Sequence, residues 1–334
     1  MKAMVVVGGQ YGDEGKGKVV SHLATNDKPN VVARAGVGPN AGHQVWVDNI
    51  KFPMSMLPSG FVYEKARLLI GAGVLVNPTR LLKEIDDLKI DRKRVGVDSR
   101  STVITQAHID SEKGTGAESE LSNKIGTTKT GCGPAMADRV RRVAKLANDE
   151  PVLAEFLTDV AKECNSAEKV LVEATQGFMI SLLYGCYPFV TSKDTSASTA
   201  AADVGIGPLC VKDVVMVVKS YTTRVGAGPF AGEITNERAK ELGYDEYGTV
   251  TGRQRRVSES LNFDELKYAA MINSANHIAL TKLDTKFKDA KGITVYDDLP
   301  FAAREFVEEI EAKMSLPVSL VGTGPNVNEI IDRR

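Results

Sequence analysis

Short apolar runs alternate with amphipathic stretches along most of the chain. Runs dense in Val, Ile, Leu and Ala that are too short for helices predict buried strands, and they lie at 3–7, 30–34, 67–70, 169–173, 213–221, 277–280 and 318–321. Longer stretches with apolar residues at helical spacing predict helices at 78–88, 263–276 and 301–314. Strands that alternate with helices favour a mainly parallel sheet with helices on both faces.

Weaker patterns fill the segments between these elements. Further strands are predicted at 95–97 and 103–104, a hairpin arm at 44–51, and further helices at 19–24, 135–146 and 152–163. Residues 111–133 are polar and rich in Gly, Ser, Thr and Lys, which predicts a long loop. The strand at 318–321 is expected to be the last one. Because no linker, repeat or low-complexity segment divides the chain, we interpret residues 1–334 as a single α/β domain.

The composition narrows the class of protein. The chain has 334 residues, of which 43% are hydrophobic and 25% charged, with a formal net charge of −1, as in ordinary globular proteins. Without a basic field there is no reason to expect a nucleic-acid partner. No apolar run approaches the roughly 20 residues of a membrane span, so no membrane association is expected. The four cysteines lack CxxC spacing and are interpreted as reduced thiols of a cytoplasmic protein.

One glycine-rich segment carries the clearest chemical signal. Residues Gly8 to Lys18 follow the strand at 3–7 and precede a predicted helix, the context in which backbone N–H groups hold phosphate. The glycine spacing is that of a P-loop, but Val19 replaces the usual hydroxyl residue. Asp13 and Glu14 place two carboxylates inside the segment. We therefore predict a variant phosphate loop whose carboxylates hold a metal or take a proton.

Two side chains near this loop are candidates for catalysis. Asp13 lies inside it, and His43 follows Asn40-Ala41-Gly42 after another predicted strand. Taken singly, Asp13 could cap a turn and His43 could be a surface histidine. Because the loops at the carboxyl ends of parallel strands converge, we favour a shared site. There Asp13 would take a proton and contact Mg²⁺, and His43 would stabilise an oxyanion or a transferring phosphoryl group.

Several further motifs follow in order along the chain. They are GDEGKGK at 12–18, NAGH at 40–43, IGTTKTGCGPAMADRVRR at 125–142, YPFVTS at 187–192, YTTRVGAGPF at 221–230, TGRQRR at 251–256 and TKLD at 281–284. Together they resemble the adenylosuccinate synthetase family from end to end, and the length is similar to its archaeal and phage branch. The resemblance implies a variant P-loop NTPase-like fold and a ligase that joins L-aspartate to C6 of a 6-oxopurine nucleotide. A nucleoside triphosphate first phosphorylates O6, and the aspartate amine then displaces phosphate.

The same resemblance assigns expected ligands to residues of this chain. Mg²⁺ is expected at Asp13 and at the Gly42 carbonyl. The nucleoside triphosphate is expected at Gly12, Glu14, Gly15, Lys16, Gly17, Lys18, Lys282, Asp284, Gly322 and Gly324. The purine mononucleotide is expected at Asp13, Ser21, Asn40, Ala41, Thr127, Thr128, Arg142, Gln176, Thr191 and Val225. L-Aspartate is expected at Thr251, Gly252, Arg253 and Arg255.

Two basic runs have simpler alternatives. The resemblance implies a homodimer in which Arg142 reaches the 5′-phosphate in the partner subunit's site. Without the family, Arg139 to Arg142 would be a solvated helix face. The run from Arg253 to Arg256 could likewise be only a charge run. The turn that precedes this run favours a binding loop. Aspartate has two carboxylates, and a guanidinium group can bind a carboxylate through two parallel hydrogen bonds.

One departure from the family pattern bears on the choice of purine. Ser21 stands where an aspartate beside the bound base is expected, and its small neutral side chain would leave room for the 2-amino group of guanine. We therefore predict the phage-type reaction, in which dGMP, aspartate and ATP give 2-amino-2′-deoxy-N6-succinoadenylate. Neutral drift is the alternative account of Ser21. Asp284 would instead suit GTP, so adenylosuccinate synthesis from IMP and GTP is the alternative function; a P-loop ATPase switch is a third.

Overall fold

The computed structural model describes residues 2–248 and 252–334. Its strands within these ranges are β1 (Lys2–Gly8), β2 (Val31–Arg34), β3 (His43–Val47), β4 (Ile50–Met54), β5 (Arg67–Ile70), β6 (Leu75–Val76), β7 (Val95–Asp98), β8 (Thr102–Val103), β9 (Leu157–Thr158), β10 (Lys169–Glu173), β11 (Val211–Lys219), β12 (Thr222–Arg224), β13 (Glu233–Ile234), β14 (Arg256–Ser258), β15 (His277–Thr281), β16 (Val318–Gly322) and β17 (Ile330–Asp332). Its helices are α1 (Lys16–Asp27), α2 (Pro78–Asp87), α3 (Gln106–Lys113), α4 (Ala117–Ile125), α5 (Cys132–Arg141), α6 (Val160–Ser166), α7 (Ala197–Asp203), α8 (Asn236–Leu242), α9 (Phe263–Asn273), α10 (Leu283–Lys286) and α11 (Phe301–Met314).

A central sheet spans nearly the whole described chain. It has ten strands in residues 2–248 and 252–334, in the order β17-β16-β15-β11-β1-β10-β2-β5-β7-β9. All of its pairings are parallel except β16 with β17, which confirms the predicted fold class. The chain runs outward from β1 to β9, returns to β10 beside β1 and then crosses to β11 on the other side. Ligands of such sheets bind where the strand order reverses, so the site is expected beyond β1.

Both faces of this sheet are buried. Val5 and Val7 pack in one core cluster and Val6 packs in another, because successive side chains of a strand point to opposite faces. Residues of α9 and α11 complete the first cluster, and residues of α1 complete the second. Burial on both faces explains why the strands have no alternating polar positions. Among the described residues, no helix is long and apolar enough to cross a membrane.

The prediction of a long loop at 111–133 is wrong in part. This region contains α4 and the ends of α3 and α5. Only Ser119 and Ser122 of α4 are buried, so this surface helix has no apolar stripe from which to predict it. The helix predicted at 135–146 is α5, which begins earlier and ends at Arg141.

Two other predictions need correction. The helix predicted at 152–163 is instead a 3₁₀ turn over Pro151–Phe156, followed by β9 and the start of α6. Both pieces bury apolar residues at intervals that resemble one helix. The strand at 318–321 is not the last one, because β17 follows it as an antiparallel edge strand. That strand is only three residues long, too short for a periodicity to reveal it.

Candidate active site

Glu14 is fully buried, and its carboxylate stabilises the phosphate loop through bonds to other residues of the same loop. Its Oε1 accepts hydrogen bonds from the backbone N–H groups of Gln10 at 3.1 Å and Gly12 at 2.8 Å. Its Oε2 lies 2.7 Å from Lys16 Nζ, which also donates to the Gln176 carbonyl at 2.5 Å. These bonds offset the desolvation of the buried ion pair. Glu14 therefore supports the loop from within and also lines the cavity, and its contact with the triphosphate stays a prediction.

The first turn of α1 offers backbone donors to an anion. Gly15 precedes it with a φ of 94°, and no side chain of the described residues caps the helix. The free N–H groups and the helix dipole at this end attract phosphate. A Cβ on Gly17 would lie 2.9 Å from Ser59 Oγ and 3.2 Å from His43 Cβ. Glycine therefore lets the turn pack closely against the segment that carries His43.

Asp13 belongs to a charge network with Arg255, one of the predicted aspartate-binding residues. It has a left-handed φ of 64°, and its Oδ2 lies 2.9 Å from Arg255 Nε. Arg255 is buried and also pairs with Glu246, which lies 3.1 Å from Lys219 Nζ. Burial alone would raise the pKa of Glu246, but Lys219, Lys282 and Arg255 hold that pKa below its usual range. The predicted proton acceptor, Asp13, and the predicted carboxylate-binding cation, Arg255, are therefore adjacent.

His43 lies in a second charge network beside α1. Its Nδ1 is 2.5 Å from Glu173 Oε1, and Arg34 Nη1 is 3.0 Å from its Nε2. Burial and the neighbouring Arg34 hold the pKa of His43 below its usual range. Burial alone would raise the pKa of Glu173, but His43 and Arg34 lower it to about 2. At neutral pH the pair is thus a neutral imidazole and a carboxylate.

A cavity of about 920 Å³ joins the two networks, a size suited to nucleotide ligands. Its lining includes most of the residues predicted from the sequence: Gly12, Asp13, Glu14, Gly15, Lys16, Gly17, Lys18, Asn40, Ala41, Gly42, His43, Thr127, Thr128, Gln176, Thr191, Val225, Arg253, Arg255, Lys282 and Gly324. They come from the loops after β1, β2, β10, β12 and β15, the α4–α5 connection and other segments. The predicted convergence of loops at the carboxyl edge of the sheet is thus observed.

Asn40, a predicted nucleotide contact, retains capacity for a ligand. Asn40 Nδ2 donates to Thr191 Oγ1 at 3.4 Å, while Asn40 Oδ1 is buried and has no hydrogen-bond partner within the described parts of the chain. A buried acceptor in this state costs about 1–3 kcal/mol unless a ligand or water satisfies it. Arg253, a predicted aspartate contact on the same cavity lining, donates to the carbonyls of Gly126 and Thr127 at 2.8 and 3.2 Å. This contact ties the basic loop to the α4–α5 connection.

The predicted site for the donor base lies around Lys18 and Asp284. Lys18 Nζ donates to the Glu329 carbonyl at 2.7 Å and to the Gly324 carbonyl. Burial lowers the pKa of Lys18 to about 8. Asp284 does not line the cavity, but its Oδ1 is buried and lacks a hydrogen-bond donor in residues 2–248 and 252–334. A free carboxylate oxygen of this kind fits a base that presents N–H groups.

We predicted Ser21 beside the bound base, but Ser21 is not among the residues that line the cavity. Its side chain is fully buried, and its Oγ lies 2.8 Å from the Gly17 carbonyl oxygen and 2.7 Å from that of Ser59. Ser21 therefore joins α1 to the segment behind His43.

Three other predicted contacts also lie outside the cavity lining. Gly252 is exposed, and Gly322 is buried at the end of β16. Arg142 is exposed just after α5 and is not among the residues that line the cavity. Thr251 falls outside the described residues.

Asp13 and the Gly42 carbonyl are hard oxygen donors beside the phosphate loop. Over residues 2–248 and 252–334, no group of three or more His, Cys, Asp or Glu side chains could hold a metal ion. Mg²⁺ typically takes only one or two carboxylates and completes its shell with phosphate oxygens and water. The residues present therefore fit Mg²⁺ delivered with a nucleoside triphosphate.

Sequence reasoning missed the charged residues behind the predicted site. Arg34, Glu173 and Lys219 are the last residues of β2, β10 and β11, and all three are buried. Burying such charges is costly unless they are paired. A charged residue that ends an otherwise apolar parallel strand is the signal that could have found them, because those ends meet at the ligand edge.

The parallel sheet, the variant phosphate loop and the adjoining cationic pocket define a nucleotide-binding α/β enzyme of the P-loop type. The sequence matches the family described as Adenylosuccinate synthetase over residues 5–162 and 145–289. It is 52% identical over 339 residues to adenylosuccinate synthetase of Archaeoglobus fulgidus, covering 100% of this chain and 99% of that protein. Identity to the Pyrococcus horikoshii protein is also 52%, over 340 residues with the same coverage. The chain belongs to the adenylosuccinate synthetase family and is a ligase that forms a C–N bond.

Solved structures agree with this assignment. Fully ligated adenylosuccinate synthetase from Plasmodium falciparum superposes with a TM-score of 0.91 at 25% identity, over 100% of both chains. Succinoaminodeoxyadenylate synthetase of cyanophage S-2L, bound to dGMP and to dATP as an energy donor, gives a TM-score of 0.82. That protein is 24% identical, over 99% of this chain and 95% of its own. At that identity the second likeness concerns the fold alone.

Proposed function

We propose that this protein makes adenylosuccinate from IMP, L-aspartate and GTP. The γ-phosphoryl group of GTP passes to O6 of IMP as the N1 proton leaves, giving GDP and 6-phosphoryl-IMP. The aspartate amine then attacks C6, phosphate departs and the amine loses a proton. Identity of 52% to archaeal adenylosuccinate synthetases over the full chain favours this reaction over the dGMP reaction that we predicted from Ser21.

The contact between Asp13 and Arg255 carries the proposal. Their 2.9 Å separation places a proton acceptor next to a guanidinium that suits the carboxylates of aspartate. Both residues line the same cavity as the phosphate loop. A P-loop ATPase switch would need the phosphate loop, but it would not need a carboxylate-binding guanidinium beside it. A ligase needs both, since the activated purine and the amine must meet before water intervenes.

Each residue of this constellation has a task in the proposed reaction. Asp13 takes the N1 proton, which makes O6 a better nucleophile. His43 offers a hydrogen bond to the transferring phosphoryl group. Lys16 and the N-terminus of α1 hold the triphosphate. Mg²⁺, held by Asp13 and the Gly42 carbonyl together with phosphate oxygens, would offset negative charge when bound.

Asp284 supports GTP rather than ATP as the donor. Its Oδ1 is buried without a hydrogen-bond donor among the described residues. Guanine presents N1–H and a 2-amino group to an acceptor of this kind, whereas the corresponding edge of adenine carries an unprotonated N1. An unsatisfied carboxylate facing adenine N1 would be unfavourable, because both groups are acceptors. Our sequence-based preference for ATP is therefore replaced by GTP.

A substrate panel tests the proposal. Purified protein is supplied with Mg²⁺, aspartate and each pairing of IMP or dGMP with GTP or ATP, and the succinylated product is measured by mass spectrometry. We expect IMP with GTP to give a kcat/KM at least about tenfold above every other pairing, since one well-placed hydrogen bond to a charged group is worth about 1.5–3 kcal/mol. Efficient turnover of dGMP without turnover of IMP would overturn the choice of acceptor.

The proposed enzyme is a homodimer in which Arg142 serves the partner's site. The exposed position of Arg142 after α5, outside the cavity of its own subunit, supports this arrangement. Val140 and Val143 beside it are 72% and 62% exposed. Apolar side chains flanking an exposed arginine are suited to an interface between subunits.

A further inference from the structure

Glu246 provides the carboxylate of a cluster of cations in the wall of the cavity. Its Oε2 lies 3.1 Å from Lys219 Nζ and also accepts a hydrogen bond from Arg255 Nη1. Its Oε1 accepts a hydrogen bond from the Tyr221 hydroxyl and lies 3.5 Å from Lys282 Nζ. The Glu246 side chain is only 14% exposed and lines the cavity. The reaction proposed above gives this residue no task.

Glu246 and Arg255 face each other on a short antiparallel hairpin. The backbone N–H of Arg255 donates to the Glu246 carbonyl at 2.8 Å, and the next pair, Tyr247 and Gln254, forms an antiparallel bridge. Residues directly opposite in such a pair project to the same face, so the two side chains meet there as well. Arg255 is thus joined to Glu246 through both its backbone and its guanidinium.

A pair of stacked tyrosines holds Glu246 from the other side. The rings of Tyr221 and Tyr244 are buried, with centroids 4.0 Å apart and planes within 3° of each other. The Tyr221 hydroxyl donates to Glu246. A carboxylate has about four lone-pair sites, and three hydrogen bonds and the nearby Lys282 already face this one. Glu246 is therefore committed to the protein and can act on a ligand only through Arg255.

The anchored guanidinium of Arg255 keeps one edge for a ligand. Glu246 holds Nη1, whereas Nε and Nη2 form another edge of the planar fork. Nε–H is buried and, within residues 2–248 and 252–334, has no aligned hydrogen-bond acceptor, although Asp13 Oδ2 lies 2.9 Å away. A buried donor without an acceptor is unfavourable. A carboxylate placed against this edge would accept two parallel hydrogen bonds.

We propose that Glu246 is a positioning residue that holds Arg255 with this edge presented to a carboxylate of the amino-acid substrate. The identity of that substrate rests on the proposed function, whereas the anchoring of Arg255 does not. Without Glu246 the long arginine side chain would sample several rotamers, and a ligand would have to order it on binding. Glu246 therefore raises the affinity for aspartate without contacting aspartate.

The test is a Glu246→Ala variant, assayed with varied aspartate at saturating nucleotide concentrations. We expect KM for aspartate to rise by about 3–10-fold, the cost of ordering one released arginine. The value of kcat should stay close to wild type, because Arg255 binds aspartate in the ground state and the transition state alike. Loss of a negative charge from the cavity would by itself strengthen binding of an anionic substrate. A charge effect alone would therefore change KM in the opposite direction.

The NMR signal of the Arg255 Nε–H group in the protein without substrates is the second readout. Arg255→Leu identifies this signal by its disappearance. The signal should be sharp in wild type and should broaden in Glu246→Ala, because the released side chain moves and exchanges with water. Glu233→Gln is the matched control, since Glu233 pairs with the neighbouring Arg256 at 2.5 Å and does not line the cavity. It should change neither KM for aspartate nor the Arg255 signal.

The proposal is overturned if folded Glu246→Ala protein has an unchanged or lower KM for aspartate. A fall in kcat at constant KM would also overturn it, since Glu246 would then act in the chemical step. So would an Arg255 signal that is the same in wild type and in Glu246→Ala.

If Glu246→Ala does not fold, Glu246→Gln takes its place, because its amide oxygen can still accept from Lys219 and Arg255. A smaller rise in KM is then expected, and an unchanged or lower KM would contradict the proposal. The NMR measurement needs no substrate, so it still tests the anchoring of Arg255 if the substrate panel shows no turnover. A failed panel with the expected NMR result would count against the proposed function alone.

Discussion

An Asp13→Asn variant should fold normally and lose about 10²–10⁴-fold in kcat, the usual contribution of a positioned general base. Asn accepts the left-handed backbone that Asp13 adopts, with its φ of 64°, so the change removes the proton acceptor without straining the loop. The substitution also removes one carboxylate from the expected Mg²⁺ ligands, and this loss should lower kcat further. Turnover of IMP, aspartate and GTP under saturating conditions measures the effect.

Asp48→Asn is the control for this substitution. Asp48 is also an aspartate with positive φ, at 48°, but it is exposed in the turn between β3 and β4 and does not line the cavity. Its replacement should leave kcat unchanged. A folded Asp13→Asn protein with a kcat within about tenfold of wild type would show that Asp13 is not the general base.

An Arg255→Leu variant is expected to lower kcat/KM for aspartate by about 10²-fold or more. Removing one partner of a buried charge pair costs about 2–5 kcal/mol, and each 1.4 kcal/mol is tenfold. Arg255 is buried and contacts both Asp13 and Glu246, so its guanidinium is held at one position in the cavity. Glu246 keeps Lys219 as a partner at 3.1 Å, which limits the loss of stability. Initial rates at varied aspartate concentration give the value.

Arg256→Leu separates this account from the simpler idea of a charge run. Arg256 is adjacent in sequence, but it pairs with Glu233 at 2.5 Å and does not line the cavity. Its loss should leave kcat/KM for aspartate close to wild type. Equal effects of the two substitutions would mean that Arg255 has no specific role in binding aspartate.

The sequence predicted the fold well where the physical signal was strong. The runs at 3–7 and 213–221 are apolar on both faces because β1 and β11 are central strands, and they lie as predicted. Helix α4 was missed because its apolar residues form no stripe. The edge strand β17 was missed because it is short and lies after a predicted last strand.

The candidate site was predictable as a set of loops but not as a set of contacts. Motifs identified many of the residues that line the cavity, among them Asp13 and His43. They could not indicate that Glu14 is satisfied inside its own loop, or that Ser21 is buried behind His43. The Glu14 bonds depend on the folded shape of the loop itself, whereas the burial of Ser21 depends on packing against Ser59, a segment distant in sequence. Glu173 was overlooked for the same reason, since its partner His43 lies on another strand.

Transfer of the purine oxygen is the most direct test of the account. IMP labelled with ¹⁸O at C6 is incubated with GTP, aspartate, Mg²⁺ and the protein, and the phosphate released is examined by mass spectrometry. If O6 is phosphorylated before aspartate attacks, the ¹⁸O label must appear in phosphate, with one labelled phosphate for each adenylosuccinate formed. Unlabelled phosphate, or phosphate released without IMP and aspartate as a P-loop ATPase would release it, would contradict the proposed mechanism.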